Sequence, residues 1–142
     1  MIAYLDTSAI VKLLVRDESG TDVVGDLWEA ADAVFTSRIA QPEGRAALAS
    51  ARRAGRLTKT ELTRAKQELA RVLAEVAVVE LVAPLAEAAG EIAERFELRA
   101  LDAVHLASAL VVAEEDTVVV TWDQELATAA SGAGLGVAPP GT

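Results

Sequence analysis

Residues 1–15, MIAYLDTSAIVKLLV, run a short apolar stretch into a helical pattern with a lone aspartate between the two. Ile2 to Leu5 reads as a buried strand. From about Ser8, the residues Ile10, Val11, Leu13, Leu14 and Val15 give the packing face of a buried helix. Asp6 therefore stands at the carboxyl end of a strand. A charge there is a liability unless it is hydrogen-bonded or neutralised.

The pattern continues outward from that start. The DESGTD stretch at 17–22 marks a loop, Asp22 to Ala31 has helical spacing through Val23, Val24, Leu27 and Trp28, and Ala33 to Thr36 is a second strand. Ser37 suits an N-cap, but Pro42 disfavours helical geometry at Gln41, so the next helix is expected to start late or to kink there. Gly55 ends it. Thr58 with Glu61 forms a capping box and Leu57 with Leu62 a hydrophobic staple, so Ala46 to about Ala74 reads as a helical hairpin. A third strand at Val76 to Leu81 leads to a helix with Pro84 in its first turn and its end near Phe96. Another helix spans Leu101 to Ala113, a strand Thr117 to Thr121, a short helix runs from Asp123 to before Gly132, and a last strand holds Leu135 to Ala138. Strands and helices that alternate in this way imply an α/β fold with a short, mostly parallel sheet, and 142 residues suit one domain, 1–142.

Composition narrows the chemistry. With no cysteine, disulfides, thiolate metal sites and cysteine nucleophiles are excluded. The N-terminus has no signal-peptide pattern and the longest nearly apolar run, Ala103 to Ala113, is too short for a bilayer, so a soluble cytoplasmic protein is expected, with no membrane partner. The net charge of −9 hides an uneven arrangement. Nine of the thirteen basic residues lie between Arg38 and Arg71 against three acids, which leaves that segment at +6 and the remainder at −15. The segment is either a pair of solvated helix faces or a basic arm for a polyanion or an acidic partner.

In an open α/β sheet, ligands bind beyond the carboxyl ends of the strands. Asp6 follows the first strand and Asp123 stands two residues after VVVT; Asp102 opens one helix and Glu43 lies near the start of another. Four acids that met in one pocket would repel one another unless cations bound them. Oxygen ligands with no thiolate and at most one imidazole suit Mg²⁺ or Mn²⁺ better than Zn²⁺, and Mg²⁺ on a few carboxylates suits phosphoester chemistry.

The segments LDTSAIVKLLV, SRIAQPEGRAAL, ELRALDAVHLASAL and VVVTWDQELATAA, in that order, resemble the signature segments of PIN-domain ribonucleases, and the length and style resemble the VapC toxins of type II toxin–antitoxin pairs. The resemblance covers nearly the whole chain and lays the family's acidic quartet on Asp6, Glu43, Asp102 and Asp123. It implies a three-layer α/β/α sandwich and an endoribonuclease activity that depends on Mg²⁺ or Mn²⁺. It further implies a homodimer, an RNA substrate and a cognate VapB-type antitoxin. Pro42, just before Glu43, departs from a segment that the family keeps helical.

On this reading Asp6 and Asp102 hold a first metal and Glu43 and Asp123 support it or hold a second. Thr7, Ser8 and Thr121 orient ligands or water, with a helix cap an equal reading for Ser8. The arginines Arg45, Arg52, Arg53 and Arg56 are candidate contacts for RNA or antitoxin. His105, three residues after Asp102, shares its helix face, and a buried, hydrogen-bonded imidazole is the better expectation than a ligand; Trp122 is expected to pack. Two rival chemistries lack residues they need. A phosphoaspartyl transferase of the haloacid dehalogenase kind wants an acid where Ser8 stands, and a phospho-receiver wants a late lysine, yet no Lys or Arg follows Arg99. A binding module that does not cleave is the rival of another class.

Overall fold

The computed structural model describes residues 1–16 and 20–140. In chain order its elements are β1 (Ile2–Leu5), α1 (Thr7–Leu14), α2 (Gly20–Ala30), β2 (Ala33–Ser37), α3 (Ala40–Arg53) and α4 (Lys59–Glu75). There follow β3 (Ala77–Val79), α5 (Ala83–Phe96), α6 (Ala100–Val112), β4 (Thr117–Val120), α7 (Gln124–Gly132) and β5 (Gly136–Ala138). Among the described residues the five strands form one sheet in the order β3-β2-β1-β4-β5, and every pairing is parallel.

Alternation along the strands sorts the core into two layers. Tyr4, Phe35, Val79, Val119 and Val137 face α5, α6 and α7, where Leu85, Ala89, Leu106 and Leu126 pack. Leu5, Val34, Val78, Val118 and Val120 face the other way, onto Ile10 of α1, Val24 of α2 and Leu69 and Val72 of α4. The result is the three-layer α/β/α sandwich that strands apolar at nearly every position require. A satellite cluster of Leu48, Ala51, Leu57 and Ala65 holds α3 against α4. Gly44 lets the two helices close up, since a Cβ there would lie 3.0 Å from Leu69 Cδ2.

Strand order reverses at β1, which has β2 on one side and β4 on the other. The carboxyl ends of β1 and β4 therefore flank the crevice where such sheets bind ligands. Asp6 leaves the first and Thr121 to Asp123 the second. Between α5 and α6, Glu97 takes a left-handed conformation (φ 55°), and this tight turn sets Asp102 in the first turn of α6.

The structure corrects several boundaries. Pro42 neither delays nor breaks α3, which begins at Ala40. Proline there sits in the first turn, where its missing N–H has no intrahelical acceptor to lose, and the Glu43 amide already reaches the Ile39 carbonyl at 3.1 Å. The N-cap is Ile39 rather than Ser37, whose hydroxyl instead accepts from the Ile39 amide at 3.2 Å. Helix α2 starts at Gly20, two residues before the expected Asp22; residues 17–19 of the expected loop lie outside the described residues. Strand β3 is only three residues long because the chain leaves the sheet edge at Glu80, which Arg38 holds by its guanidinium. The capping box is present as expected, with Glu61 N to Thr58 Oγ1 at 3.1 Å and Thr58 N to Glu61 Oε1 at 2.9 Å. Thr58→Ala is expected to cost about 1 kcal/mol in urea unfolding, with the fold retained.

Candidate active site

Asp6 is 3% exposed and serves the fold and the crevice at once. It is the N-cap of α1: Oδ1 accepts from the Ala9 amide at 2.9 Å and from Ser8 Oγ at 2.7 Å. Oδ2 accepts from Thr121 Oγ1 at 2.5 Å. Burial pushes the carboxyl above its ordinary value, and the hydrogen bonds from Thr121 and Ser8 offset only part of that rise. Ser8 is thus an orienting hydroxyl and not the cap, and it also accepts from the Trp122 amide at 2.9 Å. Thr121 ties the two strand ends together, since its Oγ1 accepts from the Asp123 amide at 3.0 Å while it donates to Asp6. Trp122 packs as expected, with the Lys12 ammonium 5.1 Å from its ring centre.

Glu43 enters from the first turn of α3. Its Oε1 accepts from Thr7 Oγ1 at 2.7 Å and lies 2.7 Å from His105 Nε2. Burial would raise this carboxyl, but the His105 and Thr7 hydrogen bonds outweigh it and hold the group below its ordinary value. His105 is 2% exposed, and its Nδ1 meets the Tyr4 hydroxyl at 2.8 Å. The expectation of a buried, hydrogen-bonded imidazole is met. Tyr4 was missed in the sequence, where it reads only as one more strand residue. The spacing of His105 from Asp102 was the available signal for a residue facing the acids.

Asp102 makes no side-chain hydrogen bond or ion pair to any described residue, so it is not the cap of α6. Burial, and next the charge of Asp123, raise its carboxyl above the ordinary value; Glu43 adds to the rise while His105 and Arg99 oppose it. Asp123 caps α7 through Oδ1, which accepts from the Leu126 amide at 3.0 Å. Asp102 thus feels the charges of both Asp123 and Glu43.

The acids do not converge as closely as the sequence reading expects. Among the described residues no three carboxylate or imidazole side chains stand close enough to enclose an ion by themselves. Asp6 has both oxygens engaged by the protein. The oxygens left without a hydrogen bond from the described residues are both of Asp102, Oε2 of Glu43 and Oδ2 of Asp123. Such a set suits a hard cation that keeps most of its water, not one in a closed cage. Mutual repulsion at Asp102 is the force that a cation would relieve.

The basic segment is less free than its charge suggests. Arg71 pairs with Glu68 and Glu75, and Arg38 with Glu80. Arg52 donates to the Leu57 carbonyl at 3.1 Å and ties the α3–α4 turn. Arg45, two residues past Glu43, points about 200° round the helix from it, and Arg53 lies about 15 Å further along the axis. These arginines and Arg56 are exposed, and Arg45 lies on a different face of α3 from Glu43.

A parallel α/β/α sandwich with carboxylates at its switch point defines a known class. The PIN domain matches residues 3–131, and the chain belongs to that family. It is similar to the protein named Ribonuclease VapC45 of Mycobacterium tuberculosis, 46% identical over 138 residues that cover 97% of this chain and 95% of the relative. Among solved structures, the sarcin–ricin loop cleaving toxin VapC20 of Mycobacterium tuberculosis superposes with a TM-score of 0.68 at 22% identity, covering 94% of this chain and 95% of that one. A toxin–antitoxin complex from Klebsiella pneumoniae gives a TM-score of 0.59 at 17% identity, covering 85% of this chain and 86% of that one. No described helix is long and apolar enough to cross a membrane.

Proposed function

We propose that the chain is a ribonuclease, the toxin of a toxin–antitoxin pair, that hydrolyses RNA phosphodiester bonds beside Asp6, Glu43, Asp102 and Asp123 with Mg²⁺ or Mn²⁺. The observation that carries this reading is the 46% identity to Ribonuclease VapC45 along nearly the whole of both chains. The acids support it by standing at the crevice that the fold provides.

In this reading Asp102 would hold a cation that keeps most of its water, the open oxygens of Glu43 and Asp123 would accept from that water, and Asp6 would support it through the charge of its anchored carboxylate. When bound, such an ion lowers the pKa of water and neutralises phosphate charge. The protein's own groups keep the ligands in place: Thr7 on Glu43, and Ser8 and Thr121 on Asp6. His105 is not the general base, because both its nitrogens are engaged by Tyr4 and Glu43. Arg45, Arg53 and Arg56 meet RNA beyond the cleaved bond or acidic residues of a VapB-type antitoxin. A second copy of the chain completes the assembly. Val82 at the start of α5 and Val111 near the end of α6, 53% and 65% exposed, offer apolar surface for it.

The test is cleavage of cellular RNA by the purified chain with Mn²⁺, with Mg²⁺ and with EDTA. Cleavage lost in EDTA and restored by added Mn²⁺ is the expected result. Undiminished cleavage in EDTA would sink the metal assignment, and no cleavage of any RNA would leave the binding module as the better reading.

A further inference from the structure

The one histidine of the chain, His105, lies in the middle of α6 with both ring nitrogens partnered. An ionised carboxylate can only accept, so the 2.7 Å contact between Nε2 and Glu43 Oε1 puts the proton on Nε2. In the neutral ring Nδ1 is then an acceptor, and the Tyr4 hydroxyl 2.8 Å away supplies the donor. Tyr4 is 0% exposed, and its ring meets the imidazole edge-on, with centroids 5.9 Å apart and planes at 73°. Thr7 adds its own donor to the same Oε1 at 2.7 Å and lies 3.3 Å from Nε2.

We propose that Tyr4, His105 and Thr7 form a rack that pins Oε1 of Glu43 and so leaves Oε2 turned toward the crevice. His105 and Tyr4 are positioning residues, acting through Glu43 and never on RNA. The inference rests on Glu43 belonging to the proposed ribonuclease site. A glutamate has three side-chain torsions to fix, and the negative charge of Asp102 pushes this one away. Two donors on one oxygen oppose that push. They also decide which oxygen is presented, as partners of ligating carboxylates do.

A single imidazole makes the rack directly observable. In long-range ¹H–¹⁵N spectra of the native chain, the Nε2–H tautomer is expected, and Tyr4→Phe is expected to shift the ring toward a mixture of tautomers. A native ring protonated on Nδ1 instead would overturn the proposal. His105→Leu is expected to lower kcat, and the affinity of the RNA-free chain for Mn²⁺ read by electron paramagnetic resonance, by about 10- to 100-fold each. KM should stay within about twofold, and His105→Gln, which keeps an N–H donor, should recover most of the loss. In a Glu43→Gln background, His105→Leu should cost less than about twofold more. An equal loss in both backgrounds would overturn the rack, since His105 would then act independently of Glu43. The tautomer and Mn²⁺ measurements need neither RNA nor a folded His105 variant: Tyr4→Phe and Thr7→Val supply the comparison. Failure of RNA cleavage therefore counts against the ribonuclease reading alone.

Discussion

Asp102→Asn is expected to lower RNA cleavage by about a thousand-fold while leaving the chain as stable as the native one or more so. The loss follows from its open carboxylate: a cation-holding acid contributes several kcal/mol to the transition state, and about 4 kcal/mol is a thousand-fold. The stability follows from the same environment. No described residue hydrogen-bonds to the Asp102 side chain, and burial together with Asp123 and Glu43 raises its carboxyl. Because the folded value lies above the unfolded one, the folded chain holds this proton more tightly. Its contribution to stability is therefore full below the ordinary aspartate value of 3.8 and is lost as the pH rises through the folded value. Asp102→Asn should flatten that decline in metal-free urea unfolding measured from about pH 4 upward. Native-like cleavage by this variant would remove Asp102 from the site, and lower stability would show that its charge is structurally paired.

At Asp6 the two effects are expected to separate by substitution. Asp6→Asn and Asp6→Ala should both abolish cleavage, but only Asp6→Ala should lose about 2–3 kcal/mol of stability. The alanine variant strips α1 of its N-cap and leaves the Ser8 and Thr121 hydroxyls without their acceptor. Asparagine keeps an oxygen for the Ala9 amide, and its neutrality removes the cost of burying a charge, which is what raises the native carboxyl. Urea unfolding of the three chains side by side checks this. Equal stability of Asp6→Ala and the native chain would mean that the cap contributes nothing.

Much of the architecture could be read because local signals and tertiary packing agree in it. The run Ile2 to Leu5 is buried on both faces, so its apolar continuity is a direct imprint of the sandwich, and Thr58 with Glu61 forms a cap from four adjacent residues. Asp6 and Asp123 were legible for the same reason, as Asp6 directly follows one recognisable strand and Asp123 stands two residues past another. Pro42 misled because a proline is a breaker or a starter according to its distance from the helix end, and nothing local marked Ile39 as the cap. The closeness of the acids was overstated because spacing gives the element an acid sits on but not the rotamer that aims it. Tyr4, His105 and Glu43 come from residues 62 and 101 positions apart, and no window along the chain contains their contact.

The double use of Asp6 would leave a mark in a genetic screen. If cells are selected for surviving expression of this chain, most disabling alleles at Asp6 should yield protein that is degraded. Disabling alleles at Asp102 should yield abundant, folded and harmless protein that still sequesters whatever partner restrains it. Survivors carrying the two kinds of lesion would differ in dominance: the Asp102 alleles would release an active copy from its inhibitor, whereas the Asp6 alleles would behave as simple deletions.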